Sequence, residues 1–235
     1  MMQQLPLAMR LRERAVFDSF VPGPNLESYA RLRAIALGAH SDVSWLYGPA
    51  GAGKSHLLQA VCAEAQRAGS TSAYLPLARL RELGPEVLEG WQNVRVLALD
   101  DLGSIVGQAA WEQRVFALYR EVQERGAALI AAATNPPALM SFSLADLASR
   151  FAAAALLPLR ALDETEQRAA LRLRARARGL DLPESTALYL QRRFRRDLST
   201  LYELLDTLDE AALRAQRRLT VPFIRSVLLP KTPDA

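Results

Sequence analysis

Hydrophobic residues follow two alternating patterns through the first two thirds of the chain. Short apolar runs predict β-strands at Val43–Tyr47, Ser72–Leu77, Val94–Leu99, Ala127–Ala133 and Ala154–Leu159. Apolar residues at helical spacing predict intervening helices at Leu26–Leu37, Lys54–Ala68, about 111–122 and Leu144–Phe151. Strands that alternate with helices are typical of a parallel sheet covered on both faces. We therefore predict an α/β fold with a parallel five-stranded sheet.

Only helical patterns remain after about residue 163. Asp163 and Glu166 have the spacing of a capping box and predict a helix that runs to Gly179. Further helices are predicted from Pro183, over Leu198–Arg218 and from Thr220. We expect a tail at 1–10, an α/β domain at 11–160 and a small α-helical domain at 161–235.

Composition excludes several classes of protein. The 235 residues are 50% hydrophobic and 23% charged, which are values of a globular chain and not of a disordered one. One cysteine, Cys62, and two histidines exclude an internal disulfide and a Cys/His zinc cage. The sequence has no apolar run of about 18 residues and no signal-peptide pattern, so we expect a cytoplasmic protein without a membrane partner. The net charge of +4 is weak support for a nucleic-acid surface.

A glycine-rich segment after the first predicted strand carries the strongest chemical signal. The segment Gly48–Ser55 reads GPAGAGKS and matches the phosphate-binding pattern GxxxxGK[ST]. Glycines let backbone N–H groups face phosphate oxygens, Lys54 would neutralise their charge, and Ser55 would bind Mg²⁺. Lys54 is one of only two lysines among 29 basic residues, and a compact ammonium suits this place. The alternative is an ordinary glycine turn between a strand and a helix.

Polar residues at the ends of later strands extend this candidate site. Asp100 and Asp101 follow a buried strand, where a carboxylate would stand beside a bound phosphate and its metal ion. Asn135 ends the next strand, where its amide would reach the γ-phosphate or the attacking water. Arg150 closes a short helix, although a cation is favourable at any helix C-terminus. For Asp100, Asp101 and Asn135, the alternative is an ordinary polar turn after a strand.

Together these motifs resemble the AAA+ ATPases, and in detail the DnaA clan. The segment FDSFVPGPN resembles the part of the replication initiator DnaA that covers adenine, and GPAGAGKSHLLQAV resembles its P-loop and following helix. The stretches LRARARGLDLPE and AQRRLTVPFI are similar to the helical lid of the Hda family of DnaA-homologous regulatory inactivators. The initiator's DNA-binding and helicase-binding domains are not expected in this chain.

The resemblance implies a role for each matching residue. Nucleotide, as ADP or ATP with Mg²⁺, would be bound by Gly48, Gly51, Ala52, Gly53, Lys54, Ser55 and His56, with Val21 and Asn25 on the adenine side and Arg196 as the lid's sensor-2 arginine. Ser55 and Asp100 would hold the metal ion. Asp101 stands where most AAA+ proteins have glutamate, so we expect at most weak intrinsic ATPase activity. Asn135 occupies the sensor-1 place, and Arg150 matches the arginine finger that acts on a neighbour's nucleotide.

The family resemblance also implies partners. The tail residues Gln4, Leu5 and Leu7 belong to QLPL, which resembles the peptide that docks on the polymerase III sliding clamp (its β subunit). An isolated tetrapeptide could equally be a frayed terminus. We expect a negative regulator of bacterial chromosomal replication initiation that contacts DnaA directly and DNA through the clamp. A homodimer is a further option.

Other functions fit parts of the sequence. An AAA+ helicase loader of the DnaC or IstB type shares the core motifs but needs an N-terminal extension longer than about ten residues. A self-sufficient ATPase is disfavoured by Asp101 and by the lack of a separate substrate domain. A DNA-binding initiator needs a reading head that the sequence does not show.

Overall fold

The computed structural model describes residues 15–194, 198–215 and 219–228. These residues form two compact units. The first contains Pro24–Arg160, and the second contains the residues from Ala161 onward together with Asp18–Gly23. No helix within the described ranges is both long enough and apolar enough to cross a membrane.

The first unit is built on a five-stranded sheet with strand order β2-β3-β4-β1-β5, in which all neighbours are parallel. The strands are β1 Val43–Tyr47, β2 Ser72–Pro76, β3 Val96–Asp100, β4 Ala128–Ala133 and β5 Ala155–Pro158. Every residue of β3 and β4 is buried, which explains their continuous apolar sequences. The predicted parallel α/β fold is confirmed.

One helix precedes the first strand of this sheet, and the others connect its strands. They are α1 Leu26–Ala36, α2 Lys54–Arg67, α3 Leu77–Leu80, α4 Ala109–Glu124 and α5 Ala145–Ala152. Most ends lie within one or two residues of the sequence prediction. Directly before α1, the residues Gly23–Asn25 form one 3-10 turn. The sequence assigned nothing between β2 and β3, where the structure has α3 and 3-10 turns at Arg81–Leu83, Pro85–Leu88 and Trp91–Asn93.

An aromatic cluster closes the core beneath α5. Trp45 of β1 is fully buried, and its ring lies 4.9 Å from that of Phe151, centroid to centroid. Phe142 and Tyr119 pack around the same phenylalanine at 5.9 and 6.0 Å. Helix α5 is therefore anchored to the sheet through Phe151.

The described residues of the second unit form four helices, α6 Glu164–Ala177, α7 Glu184–Arg193, α8 Leu198–Ala215 and α9 Val221–Leu228. The predicted capping box is confirmed: Asp163 accepts from the Thr165 and Glu166 backbones, and Glu166 accepts from the Asp163 N–H. The core is aliphatic, with Leu171, Leu190, Leu205 and Ile224 among its fully buried members. Part of the helix predicted over 198–218 lies outside the described residues.

Candidate nucleotide site

Three predicted site segments of the first unit lie side by side at one edge of the sheet. Strand β4 lies between β1 and β3, and all three run in the same direction. Their carboxyl ends therefore place three segments side by side: the glycine loop after β1, Asp100 at the end of β3, and Asn135 two residues after β4. In doubly wound sheets this edge is where ligands bind.

The glycine loop has the backbone conformation that a phosphate cradle needs. Gly51 and Gly53 have φ angles of 77° and 94°, in the left-handed region where a side chain would be strained. Helix α2 then begins at Lys54 with no side-chain cap and no acidic residue in its first turn. The free N–H groups and the positive end of the helix dipole therefore remain available to an anion. Ala52 between the glycines is buried.

Gly48 is required for close packing. A Cβ atom at this position would lie 2.3 Å from the carbonyl oxygen of Leu159. That segment cannot easily retreat, because the Leu159 N–H donates to the Tyr47 carbonyl at 2.6 Å. Because Gly48 has no side chain, the loop that follows β1 can pack directly against the backbone of Leu159, which follows β5.

Lys54 holds its ammonium at the mouth of the loop. Its Nζ donates to the carbonyl oxygens of Gly48 at 2.7 Å and Pro49 at 2.9 Å. Burial lowers the pKa of Lys54, and the negative charges of Asp100 and Asp101 oppose that shift. The ammonium therefore lies in the field of both acids, where it can also meet phosphate oxygens.

Asp100 is a buried carboxylate with uncharged hydrogen-bond donors. Asp100 is only 1% exposed to solvent. Oδ2 accepts from the Tyr74 hydroxyl at 2.6 Å, and Oδ1 accepts from the Asp101 N–H at 3.0 Å. Each oxygen keeps a further lone pair, and oxygen ligands of this kind suit Mg²⁺. Asp100 and the exposed Ser55 hydroxyl thus fit the metal that the motif implies.

Asp101 adopts an unusual backbone conformation. Its φ of 53° makes it the one non-glycine residue with positive φ in the described ranges. This turn directs its N–H to Asp100 while the residue itself stays exposed. Burial of the carboxyl and the neighbouring Asp100 raise the pKa of Asp101, and Lys54 partly opposes the shift. Strain of this type commonly accompanies functional sites.

Tyr74 is a site residue that sequence reasoning missed. It lies on β2, and its hydroxyl contacts Asp100 directly. Burial first, and then the charge and hydrogen bond of Asp100, raise the pKa of Tyr74. The Ser55 and Gln59 side chains lower that pKa in part. Only the strand order, with β2 beside β3, could have indicated this contact.

Asn135 and Arg150 lie on exposed surface of the first unit. The Asn135 carbonyl accepts from Trp45 Nε1 at 3.0 Å, which fixes the backbone and leaves the side chain exposed. Arg150 lies in the last turn of α5, directly before the fully buried Phe151. Within the described part of the chain, Arg150 forms no ion pair. Its guanidinium is therefore turned away from the core.

Other predicted positions have different surroundings. Asn25 is buried, and its amide donates to the Arg160 carbonyl at 3.0 Å and accepts from the Arg160 N–H at 2.7 Å. The Asn25 side chain thus connects the start of α1 to the segment that follows β5. His56 Nε2 lies 3.0 Å from the Val16 carbonyl oxygen, and Val21 is partly exposed. The predicted residues Gln4, Leu5, Leu7 and Arg196 lie outside the described residues.

Comparison with known families connects both units to replication proteins. The family model for the Hda lid domain matches residues 163–228, and that for the bacterial DnaA ATPase domain matches residues 11–76. A model described as RNA helicase matches residues 44–131, which include the glycine loop and the acidic strand end.

Solved structures share the fold at low sequence identity. Domain III of the Thermotoga maritima replication initiation protein DnaA is 21% identical, with a TM-score of 0.76 over 91% of this chain and 95% of that one. AMPPCP-bound DnaA from Aquifex aeolicus is 22% identical, with a TM-score of 0.65 over 86% of this chain and 68% of that one. A Thermotoga maritima RuvB variant is 18% identical, with a TM-score of 0.64 over 92% of this chain and 71% of that one.

The structural likenesses and the two replication family models agree with the predicted AAA+ fold and helical lid. The lid match and the ATPase-domain match fall on different parts of the chain, so each supports the relation independently. The chain is an Hda-like, DnaA-homologous AAA+ protein.

Proposed function

We propose that this protein is a nucleotide-bound negative regulator of bacterial replication initiation that promotes hydrolysis of ATP bound to DnaA. One observation carries the proposal: Arg150 is exposed, unpaired within the described residues, and fixed on a helix whose next residue is buried. An arginine held in this way is suited to a nucleotide on another molecule. Its guanidinium would stabilise the charge that develops on the γ-phosphate.

The protein's own nucleotide would be ADP or ATP, bound at the glycine loop. The loop glycines, the N-terminus of α2 and Lys54 provide donors and positive charge for its phosphates. Bound Mg²⁺ would neutralise phosphate charge, held by Ser55 and Asp100. The AMPPCP-bound DnaA that shares this fold supports nucleotide binding here. Residues 11–160 would form the nucleotide-binding domain, and 161–235 its lid.

We expect intrinsic hydrolysis to be weak. Asp101 follows Asp100 directly, and an aspartate side chain is one methylene shorter than the glutamate that most AAA+ proteins have at this place. Its exposed carboxyl also lies in the fields of Asp100 and Lys54. The role of this site would then be to hold nucleotide, while Arg150 acts in trans.

The tail would bring the protein to its place of action. Gln4 offers an amide to the rim of a pocket, and Leu5 and Leu7 offer apolar side chains to a groove on the sliding clamp. Docking on a DNA-loaded clamp would bring the protein close to DNA. It would also raise the local concentration of the protein near DnaA.

The decisive experiment measures ATP hydrolysis by DnaA with the clamp, DNA and this protein, and omits each component in turn. We expect full hydrolysis only when all are present. Arg150→Ala should lose the stimulation, since arginine fingers raise kcat by roughly 10³–10⁵ in related reactions, but should keep nucleotide affinity. Arg67→Ala is a matched control, because Arg67 is also an exposed arginine in the last turn of a helix. Equal stimulation by Arg150→Ala and Arg67→Ala would exclude the finger.

A second experiment tests the tail. The double variant Gln4→Ala with Leu5→Ala should lose co-purification with the clamp and keep nucleotide binding. Clamp binding at the wild-type level would show that the tail is not the docking peptide. A helicase loader would instead bind the replicative helicase and leave DnaA hydrolysis unchanged.

A further inference from the structure

We infer that Tyr74 is a positioning residue for the metal ion: its hydroxyl holds Asp100 in the orientation that magnesium nucleotide requires. This inference rests on the proposed nucleotide site. It adds a residue that lies outside the glycine loop and the acidic strand end.

The sheet register places Tyr74 beside the acid. Tyr74 pairs with Ala98 of β3, and Asp100 lies two residues further along the same strand. Side chains two residues apart point to the same face of a sheet, so Tyr74 and Asp100 share a face. The hydroxyl lies 2.6 Å from Asp100 Oδ2, which is a short hydrogen bond to a carboxylate.

Tyr74 also lies near helix α2, because the Ser55 and Gln59 side chains lower its pKa. Ser55 and Gln59 are four residues apart on α2, hence on one face of the helix. Tyr74 is therefore bonded to the strand that carries one predicted magnesium ligand and lies near the helix that carries the other.

The hydrogen bond has a defined direction. Asp100 Oδ2 can only accept while the carboxylate is ionised, so the phenol donates to it. Oδ1 is already held by the Asp101 N–H. With both oxygens fixed, the carboxylate cannot rotate, and its remaining lone pairs keep one orientation. Residues that orient metal ligands in this way typically change metal affinity by 10–100-fold when removed.

The test is the magnesium dependence of ADP affinity, measured by calorimetry on the full chain in saturating magnesium chloride and in EDTA. Tyr74→Phe removes only the hydroxyl and keeps the ring. The ratio of interest is the dissociation constant of ADP in EDTA divided by that in magnesium chloride. We expect this ratio to fall by about tenfold in this variant, with the affinity in EDTA unchanged. Tyr119→Phe is the matched control, because it deletes a hydroxyl from a tyrosine of the aromatic cluster on α4. It should keep the wild-type ratio.

A double variant checks that Tyr74 acts through Asp100. Asp100→Asn should remove most of the magnesium effect, and adding Tyr74→Phe should change the ratio no further. Equal weakening of ADP binding with and without magnesium would mean a purely structural role and would overturn the inference. An unchanged or higher ratio in Tyr74→Phe, or no magnesium effect in the wild type, would overturn it as well. No binding of ADP by the wild-type protein would instead refute the proposed function.

Discussion

Glu112 gives a stability prediction that depends on a single buried side chain. This residue of α4 is 0% exposed. Its Oε1 accepts from the Gly107 N–H at 2.6 Å, and its Oε2 accepts from the Leu144 N–H at 2.7 Å. Leu144 is the N-cap residue of α5. The carboxylate therefore ties the loop after the acidic strand end to the start of the helix that carries Arg150.

The expected cost follows from the two hydrogen bonds. A hydrogen bond to a charged group contributes about 1.5–3 kcal/mol, so two bonds set an upper range of about 3–6 kcal/mol. Part of this is offset, because Glu112→Ala also removes a charge from a buried position. We expect Glu112→Ala to lower the free energy of unfolding by about 2–4 kcal/mol. Glu112→Gln retains one acceptor oxygen and should lower it by about 1–3 kcal/mol.

Tryptophan fluorescence in urea is the suitable assay. All three tryptophans, Trp45, Trp91 and Trp111, lie in the first unit, so their signal reports on the unit that contains Glu112. Glu124→Gln is the control. This glutamate of the same helix is exposed, and its ion pair with Arg120 on the surface stabilises by less than about 0.5 kcal/mol. If both Glu112 variants unfolded within about 0.5 kcal/mol of the wild type, the reasoning from buried hydrogen bonds would be wrong.

Three further predictions concern the same unit. Cys62 is buried, and burial raises the pKa of its thiol to about 12. A thiol reagent at pH 8 should therefore modify Cys62 only when the protein unfolds, and ADP should slow the modification. Rapid labelling of the folded protein would contradict this. Gly48→Ala places a Cβ atom 2.3 Å from the Leu159 carbonyl oxygen, so the variant should not bind ADP and should have a lower Tm. A variant with the Tm of the wild type, raised equally by ADP, would refute this. The folded protein raises the pKa of Asp101 above the ordinary value of 3.8. Ionisation of Asp101 therefore lowers the free energy of unfolding as the pH rises from 3.8 through the folded-state pKa. Asp101→Asn, which also tolerates positive φ, should therefore raise Tm at pH 7 but not near pH 3; equal shifts at both pH values would disprove the charge argument.

The sequence was sufficient wherever a feature depends on neighbours in the chain. The apolar runs predicted all five strands, and the glycine loop, the acidic strand end and the Asp163 capping box are local patterns. Parallel strands then place their carboxyl ends at one edge, which is why Lys54, Asp100 and Asn135 could be assigned to one site before the strand order was known.

Features that depend on distant segments could not be found in this way. Tyr74 contacts Asp100 across 26 residues, and Asn25 ties to Arg160 across 135. Glu112 looks in the sequence like an ordinary solvated charge on a helix, because nothing local indicates that two loops close over it. These contacts are set by strand order and loop packing, which no periodicity encodes.

The same distant contacts determine how Arg150 is presented. Helix α5 is held at its start by Glu112 and near its end by Phe151, whose ring packs on Trp45. Trp45 also donates to the carbonyl of Asn135, so one buried side chain of β1 fixes both the end of β4 and helix α5. The position of the helix that carries Arg150 is thus set by the fold before any partner binds, which suits the proposed action on another protein's nucleotide. Loosening either anchor should weaken action in trans even though Arg150 itself is unchanged.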